Sequence, residues 1–138
     1  MTTSNPAPAT ARSIRVSAAV ILNDRDELLL VRKAGTTAFM QPGGKPEPGE
    51  SPSETLSREL LEELGLAVDP AELRPLGLYT AAAANEPGFS VVADVFEVAI
   101  GDQVPVIAAE IEELRWVVRA DAAELEIAPL ARENFLPG

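Results

Sequence analysis

The spacing of apolar positions changes several times along the chain, and each change marks a predicted element. Ile14-Arg-Val-Ser-Ala-Ala-Val-Ile-Leu22 is rich in β-branched residues and predicts a strand. Asn23 to Glu27 is a polar turn, and Leu28-Leu-Leu-Val-Arg-Lys33 predicts a second strand. Ala34 to Thr37 reads as a loop before a short extended piece, Phe39-Met-Gln41. Pro42-Gly43-Gly44 and Pro46-Glu-Pro-Gly49 then break any regular structure up to Ser51.

At Ser51 the period changes to that of a helix. Leu56, Leu60 and Leu64 recur at i,i+4 and define an apolar face. Ser51 suits the N-cap, Pro52 the first turn, and Glu54 completes a capping box three residues on. Gly65 is the expected stop. Strands are predicted at roughly Arg74 to Ala82, Phe89 to Ile100 and Leu114 to Val118. A short helix near Asp121 to Leu125 and a terminal one from about Pro129 complete the set. Strands and helices mix without a regular βαβ repeat, which predicts an α+β sandwich around a mixed sheet.

Composition narrows the chemistry. The 138 residues are 46% hydrophobic, enough for one domain with a core. We expect that domain over residues 13–138, behind a disordered tail over residues 1–12. No apolar run has transmembrane length, and the first residues lack a signal-like apolar stretch, so a cytoplasmic protein without a membrane role is expected. The chain has neither cysteine nor histidine. That excludes disulfides, thiolate or imidazole zinc sites and Ser-His-Asp chemistry, and leaves proton transfer to carboxylates, Lys, Tyr or metal-bound water. A net charge of −11 argues against a nucleic-acid partner, which needs a basic footprint.

The acidic residues are unevenly placed. Glu59, Glu62 and Glu63 fall within about a 100° arc of the predicted helix, beside the leucine face. Like charges so placed repel by about 0.2–0.5 kcal/mol per i,i+4 pair. Arg58, four residues before Glu62, can pair with and orient a carboxylate. Three carboxylates converging beside a Gly-rich loop make a hard-oxygen site suited to Mg²⁺ or Mn²⁺, which would offset the repulsion.

The full pattern is longer. Gly44, five residues, Glu50, seven residues, then Arg58-Glu59-Leu60-x-Glu62-Glu63-x-Gly65-Leu66 fill every defining position of what resembles a Nudix box. The flanking strand order is also similar to that family's, so the resemblance spans nearly the whole domain. It implies a Nudix-type α/β/α sandwich and a Mg²⁺- or Mn²⁺-dependent hydrolase of a nucleoside diphosphate linked to another moiety. It assigns Glu59, Glu62 and Glu63 as metal ligands together with the Gly44 carbonyl, and Glu50 and Arg58 as braces of those carboxylates. A further ligand from a later loop is expected at Glu110, with Glu113 as second choice and Glu112 facing solvent. Glu59 or Glu62 would take the proton of the attacking water, in chemistry that rests on positioning and charge cancellation.

Substrate signals are weaker. Arg32, Lys33 and Lys45 are expected to reach phosphates. Phe39, Tyr79, Phe89 and Phe135 are candidates to stack on a base, with core packing the alternative for each, and Trp116 is expected in the core. Ala128-Pro129-Leu130 and Asn134 are further candidate base contacts. Ala81 to Ala83 occupy the place where the ADP-ribose subgroup usually carries a proline. That and the Phe39 to Lys45 approach favour a MutT-type enzyme releasing pyrophosphate from a (deoxy)nucleoside triphosphate. The alternatives are an ADP-ribose or nucleotide-sugar pyrophosphatase and a non-catalytic nucleotide-binding module. The expected partner is a small nucleotide, and a homodimer is compatible with the sequence.

Overall fold

The computed structural model describes residues 12–138; the tail expected over residues 1–12 lies, but for Arg12, outside the described residues. Among the described residues, six strands and two α-helices follow the order β1 (Ser13–Val20), β2 (Leu28–Lys33), β3 (Gly43–Gly44), α1 (Pro52–Leu64), β4 (Arg74–Ala82), β5 (Ser90–Glu97), β6 (Ile111–Val117) and α2 (Pro129–Asn134). Two 3₁₀ turns, Pro70–Glu72 and Arg119–Ala123, join them. The second replaces the short helix expected near Asp121, and the first was not expected.

One sheet has the order β3-β1-β5-β4. Its β1–β5 pair is parallel and its other two pairs are antiparallel, so it is mixed. The single sheet expected from the sequence is divided, because β2 and β6 form a separate antiparallel pair. Asn23 turns the chain between β1 and β2, its side-chain oxygen accepting from the Arg25 and Glu27 amides.

Strand alternation sorts the core into two clusters. Ala18, Val20, Leu28 and Leu30 point to one side, where they meet Leu130 and Ala131 of α2. Ala19, Ile21, Leu29 and Val31 point to the other and meet Leu56, Leu60 and Leu64 of α1. Period-2 strands thus bury both faces, one against each helix, which is the α/β/α layering expected. Trp116 is only half buried at the edge of the second cluster.

Helix α1 is fixed at both ends. Ser51 and Glu54 form the reciprocal capping box, with Oγ of Ser51 accepting from the Glu54 amide and Glu54 Oε1 from the Ser51 amide. Gly65 closes the helix in the left-handed region at φ 65°, and the Gly65 and Leu66 amides return to the Leu61 and Leu60 carbonyls. The loop before β6 also caps this end: Val106 donates to Leu64 O and Ala108 to Glu63 O. That loop brings Glu110 within electrostatic reach of Glu63.

Candidate active site

The loop between β2 and α1 is built around two glycines. Sequence breakers were expected at Gly43 and Gly44, yet both pair with β1, opposite Ala18 and Ser17. Gly43 adopts φ 149°, and a Cβ there would run into the Ser17 carbonyl. Added at Gly44, a Cβ would overlap the Glu59 carboxylate. The missing side chains let the loop backbone and the acidic face of α1 come together.

Arg58 organises that face. Its Nε donates to Glu50 Oε2 at 2.6 Å and its Nη2 to Glu50 Oε1 at 2.9 Å, a two-point clamp. Nη2 also donates to the Lys45 carbonyl at 3.1 Å, tying the loop to the helix. Nη1 reaches Glu59 Oε2 at 3.1 Å and Glu62 Oε1 at 3.3 Å. Glu50 additionally accepts from the Glu47 amide and the Thr55 hydroxyl. These donors, the guanidinium first, pull the Glu50 pKa down to about 2. The carboxylates around Arg58 push its own pKa up.

The three helix glutamates have different surroundings. Glu63 is buried at 2% exposure and accepts from the Gly43 amide at 3.4 Å. Burial, reinforced by the Glu59 charge, raises its pKa to about 8. Glu59 is partly buried, and desolvation raises its pKa as well, against the pull of Arg58. Glu62 is exposed and leans on Arg58. The three carboxylates expected to converge from helical spacing are thus held apart here. Among the described residues no three acidic side chains lie close enough to form a ready-made metal cage. Instead the guanidinium of Arg58 stands between Glu59 and Glu62 as their shared counter-charge, while Glu63 turns inward.

The donor set nonetheless fits a hard divalent cation. Glu59 and Glu63 offer carboxylate oxygens in a desolvated corner, and the Gly44 backbone is bare beside them. Two acids whose charged forms are disfavoured by burial and by a neighbouring carboxylate gain most from an added cation.

Glu59 lines a cavity of about 610 Å³, while Glu63 is buried outside its lining. Gly44, Lys45, Arg58, Glu59, Lys33 and Glu110 are among the cavity's polar and charged lining. Ile14, Val16, Val91, Leu130 and Ala131 supply aliphatic lining, and Ala82 to Asn85 also border it. Lys33 pairs loosely with Glu110, Nζ to Oε1 at 3.7 Å. Lys33, Lys45 and Glu110 thus line the same cavity as Glu59.

Other expected contacts lie elsewhere. Arg32 is outside the cavity lining, its guanidinium held by Glu112 at 3.0 Å, Glu113 at 3.2 Å and the Thr36 carbonyl at 2.9 Å. Glu113, the second-choice ligand, is tied up by Arg32 and Arg115. Phe39 is 5% exposed within the core, with the Arg115 guanidinium 5.8 Å from its ring centroid, and cannot stack on a base from there. Tyr79 and Phe135 pack edge to face on each other at 4.8 Å. Asn134 donates back to the Leu130 carbonyl. No aromatic ring is in the cavity lining. The aliphatic wall from Ile14, Val16 and Val91 was missed, because inward-facing β-branched residues in a strand look the same whether they meet a ligand or a core. Gln41 was also missed; its signal was a lone polar residue in a buried extended piece.

Fold, glycine loop and acidic helix together define a NUDIX domain, and the chain belongs to that family, whose model matches residues 12–137. Among particular relatives, a MutT protein from Methanosarcina mazei superposes with a TM-score of 0.69 at 26% identity, covering 88% of each chain. An 8-oxo-dGTP diphosphatase from Haemophilus influenzae is 39% identical over 64 residues, 44% of this chain and 47% of that protein. An RNA pyrophosphohydrolase from Marinomonas is 40% identical over 58 residues, 42% of this chain and 35% of its own. The first curated relatives are matched over 62%, 35% and 23% of their own lengths.

Proposed function

We propose that this protein is a metal-dependent pyrophosphohydrolase that cleaves a (deoxy)nucleoside triphosphate to the monophosphate and pyrophosphate. The observation that carries the reading is a cavity lined both by carboxylates and lysines and by aliphatic side chains, beside the Arg58-organised acidic helix. A nucleotide offers the same two kinds of surface, phosphates and nucleoside. The names of the Haemophilus and Methanosarcina relatives support it, and an oxidised purine nucleotide is a candidate among the triphosphates.

Glu59, Glu63 and the Gly44 carbonyl would hold Mg²⁺ or Mn²⁺, with Glu62 and Glu110 completing the set on rotation of their exposed side chains. The bound cation would supply charge neutralisation of the diphosphate and acidify a coordinated water. Lys33 and Lys45 would receive phosphate oxygens, each as a compact point charge. Arg58, clamped by Glu50, would set the direction of the Glu59 carboxylate. Glu59 rather than Glu62 is our choice for the proton acceptor, since Glu59 lines the cavity and Glu62 does not. Its raised pKa brings it closer to neutrality, as a general base requires.

No helix among the described residues is long and apolar enough to cross a membrane. Work on free nucleotides in the cytoplasm, by the monomer or a homodimer, is consistent with the proposal. The net charge of −11 weighs against an RNA-end substrate despite the Marinomonas relative. The test is side-by-side kinetics on dGTP, 8-oxo-dGTP, dCTP, ADP-ribose and triphosphorylated RNA. A triphosphate is expected to exceed ADP-ribose and RNA by about tenfold or more in kcat/KM. A tenfold preference for either of those would reassign the substrate and leave the carboxylate site as described.

A further inference from the structure

Gln41 has a fixed side chain with one end unaccounted for. It is 6% exposed and belongs to the cavity lining. Its Nε2 donates to the Ala19 carbonyl at 3.0 Å. That bond settles the orientation of the carboxamide, since a carbonyl accepts only from the NH₂ end. Oε1 is therefore at the other end, and it is the one buried side-chain atom without a hydrogen-bond partner among the described residues. A buried acceptor left without a donor is costly, so proteins seldom keep one that nothing will satisfy.

Position narrows what could satisfy it. Gln41 precedes Gly44 by three residues, a span of at most about 10 Å of extended chain. Gly44 and Glu59, proposed to meet the phosphates, line the same cavity as Gln41, so one nucleotide can reach both. An acceptor there repels phosphate oxygens and attracts N–H or O–H groups. Val16, Met40 and Leu130 contribute apolar surface to the same lining.

We propose that Gln41 is a specificity-determining residue, its Oε1 accepting a hydrogen bond from a donor on the nucleoside of the bound nucleotide. This rests on the cavity binding a nucleotide, as proposed above. The donor can belong to the base or to the sugar, and both present the same N–H or O–H chemistry. A purine carries only an acceptor at N7; a purine protonated at N7 because C8 is oxidised carries a donor there. The first would be disfavoured beside Oε1 and the second favoured. For the sugar, the 2′- and 3′-hydroxyls are the donors.

Three substrate pairs isolate the donor: dGTP against 8-oxo-dGTP for the base, dGTP against GTP for the 2′-hydroxyl, and dGTP against dideoxy-GTP for the 3′-hydroxyl. Each is measured with the wild type, with Gln41→Met, which keeps length but removes the acceptor, and with Gln41→Asn, which withdraws the carboxamide by one methylene. The wild type is expected to favour the donor-bearing member of at least one pair by about tenfold or more. Both variants should reduce that ratio to within about threefold of unity, with KM carrying most of the change and the ratio for cleavage of the other pairs kept. A general structural defect would lower all rates together and leave the ratios alone. Unchanged ratios in both variants would overturn the assignment while leaving the proposed activity intact. Should no triphosphate be cleaved, calorimetric binding of dGMP and 8-oxo-dGMP decides both: absence of binding overturns the nucleotide site and Gln41's role together, whereas binding lost selectively in Gln41→Met upholds the role.

Discussion

Glu63 shows how a single residue's surroundings decide its behaviour. It is a carboxylate on an otherwise ordinary acidic stripe, yet burial carries its pKa from 4.5 to about 8. Between those values an unfolded chain has lost the proton and the folded chain keeps it. Stability of the metal-free protein should therefore fall as pH rises from about 4.5 to about 8. At about 1.4 kcal/mol per pKa unit the total is on the order of a few kcal/mol. Urea melts at pH 5 and pH 8 should show the loss for the wild type, and Glu63→Gln should remove most of it. The same slope in the variant would place the titrating group elsewhere. Glu50 acts in the opposite sense: its pKa is lowered to about 2, so the stability it draws from Arg58 is present above about pH 4.5 and lost toward pH 2. The residues of the Gly44 to Leu66 motif were legible because their spacing on one helix is local. Arg32 and Phe39 were not, because Glu112, Glu113 and Arg115 are some eighty residues away and no local pattern announces them.

Among the elements, α1 was the most readable, with start, stop and buried face all as the sequence implied. Cap chemistry and i,i+4 leucines are properties of neighbours in the chain. Removing the cap with Ser51→Ala should cost about 1 kcal/mol in chemical denaturation, since it leaves the Glu54 amide without its acceptor. A change below a few tenths would mean that tertiary packing alone sets the helix start. Strand positions were also legible, but strand partners were not. Gly43 and Gly44 read as breakers because glycine weakens a free strand; here they lie against β1 because a side chain would not fit. The separation of β2 and β6 from the larger sheet depends on pairing across long sequence distance, which hydrophobic alternation leaves open.

On the scale of the whole molecule, the two helices cover opposite faces of the strands, and the cavity lies between the glycine loop, the β4–β5 connection and α2. The cavity lining sets Glu47, Glu59, Glu86 and Glu110 against Lys33, Lys45 and Arg58, within a chain of net charge −11. An anionic substrate would therefore meet a favourable local field only with a bound cation beside it. The central claim is that a hard cation held by Glu59 and Glu63 makes this cavity a pyrophosphohydrolase site. Its most direct test is pyrophosphate release from a nucleoside triphosphate by the wild type, Glu59→Gln and Glu63→Gln, with Mg²⁺ and again after EDTA. EDTA should abolish turnover, Mg²⁺ should restore it, and each variant should lose about 10²-fold or more while still melting cooperatively. Near-wild-type release by both variants, or turnover that survives EDTA, would contradict the claim.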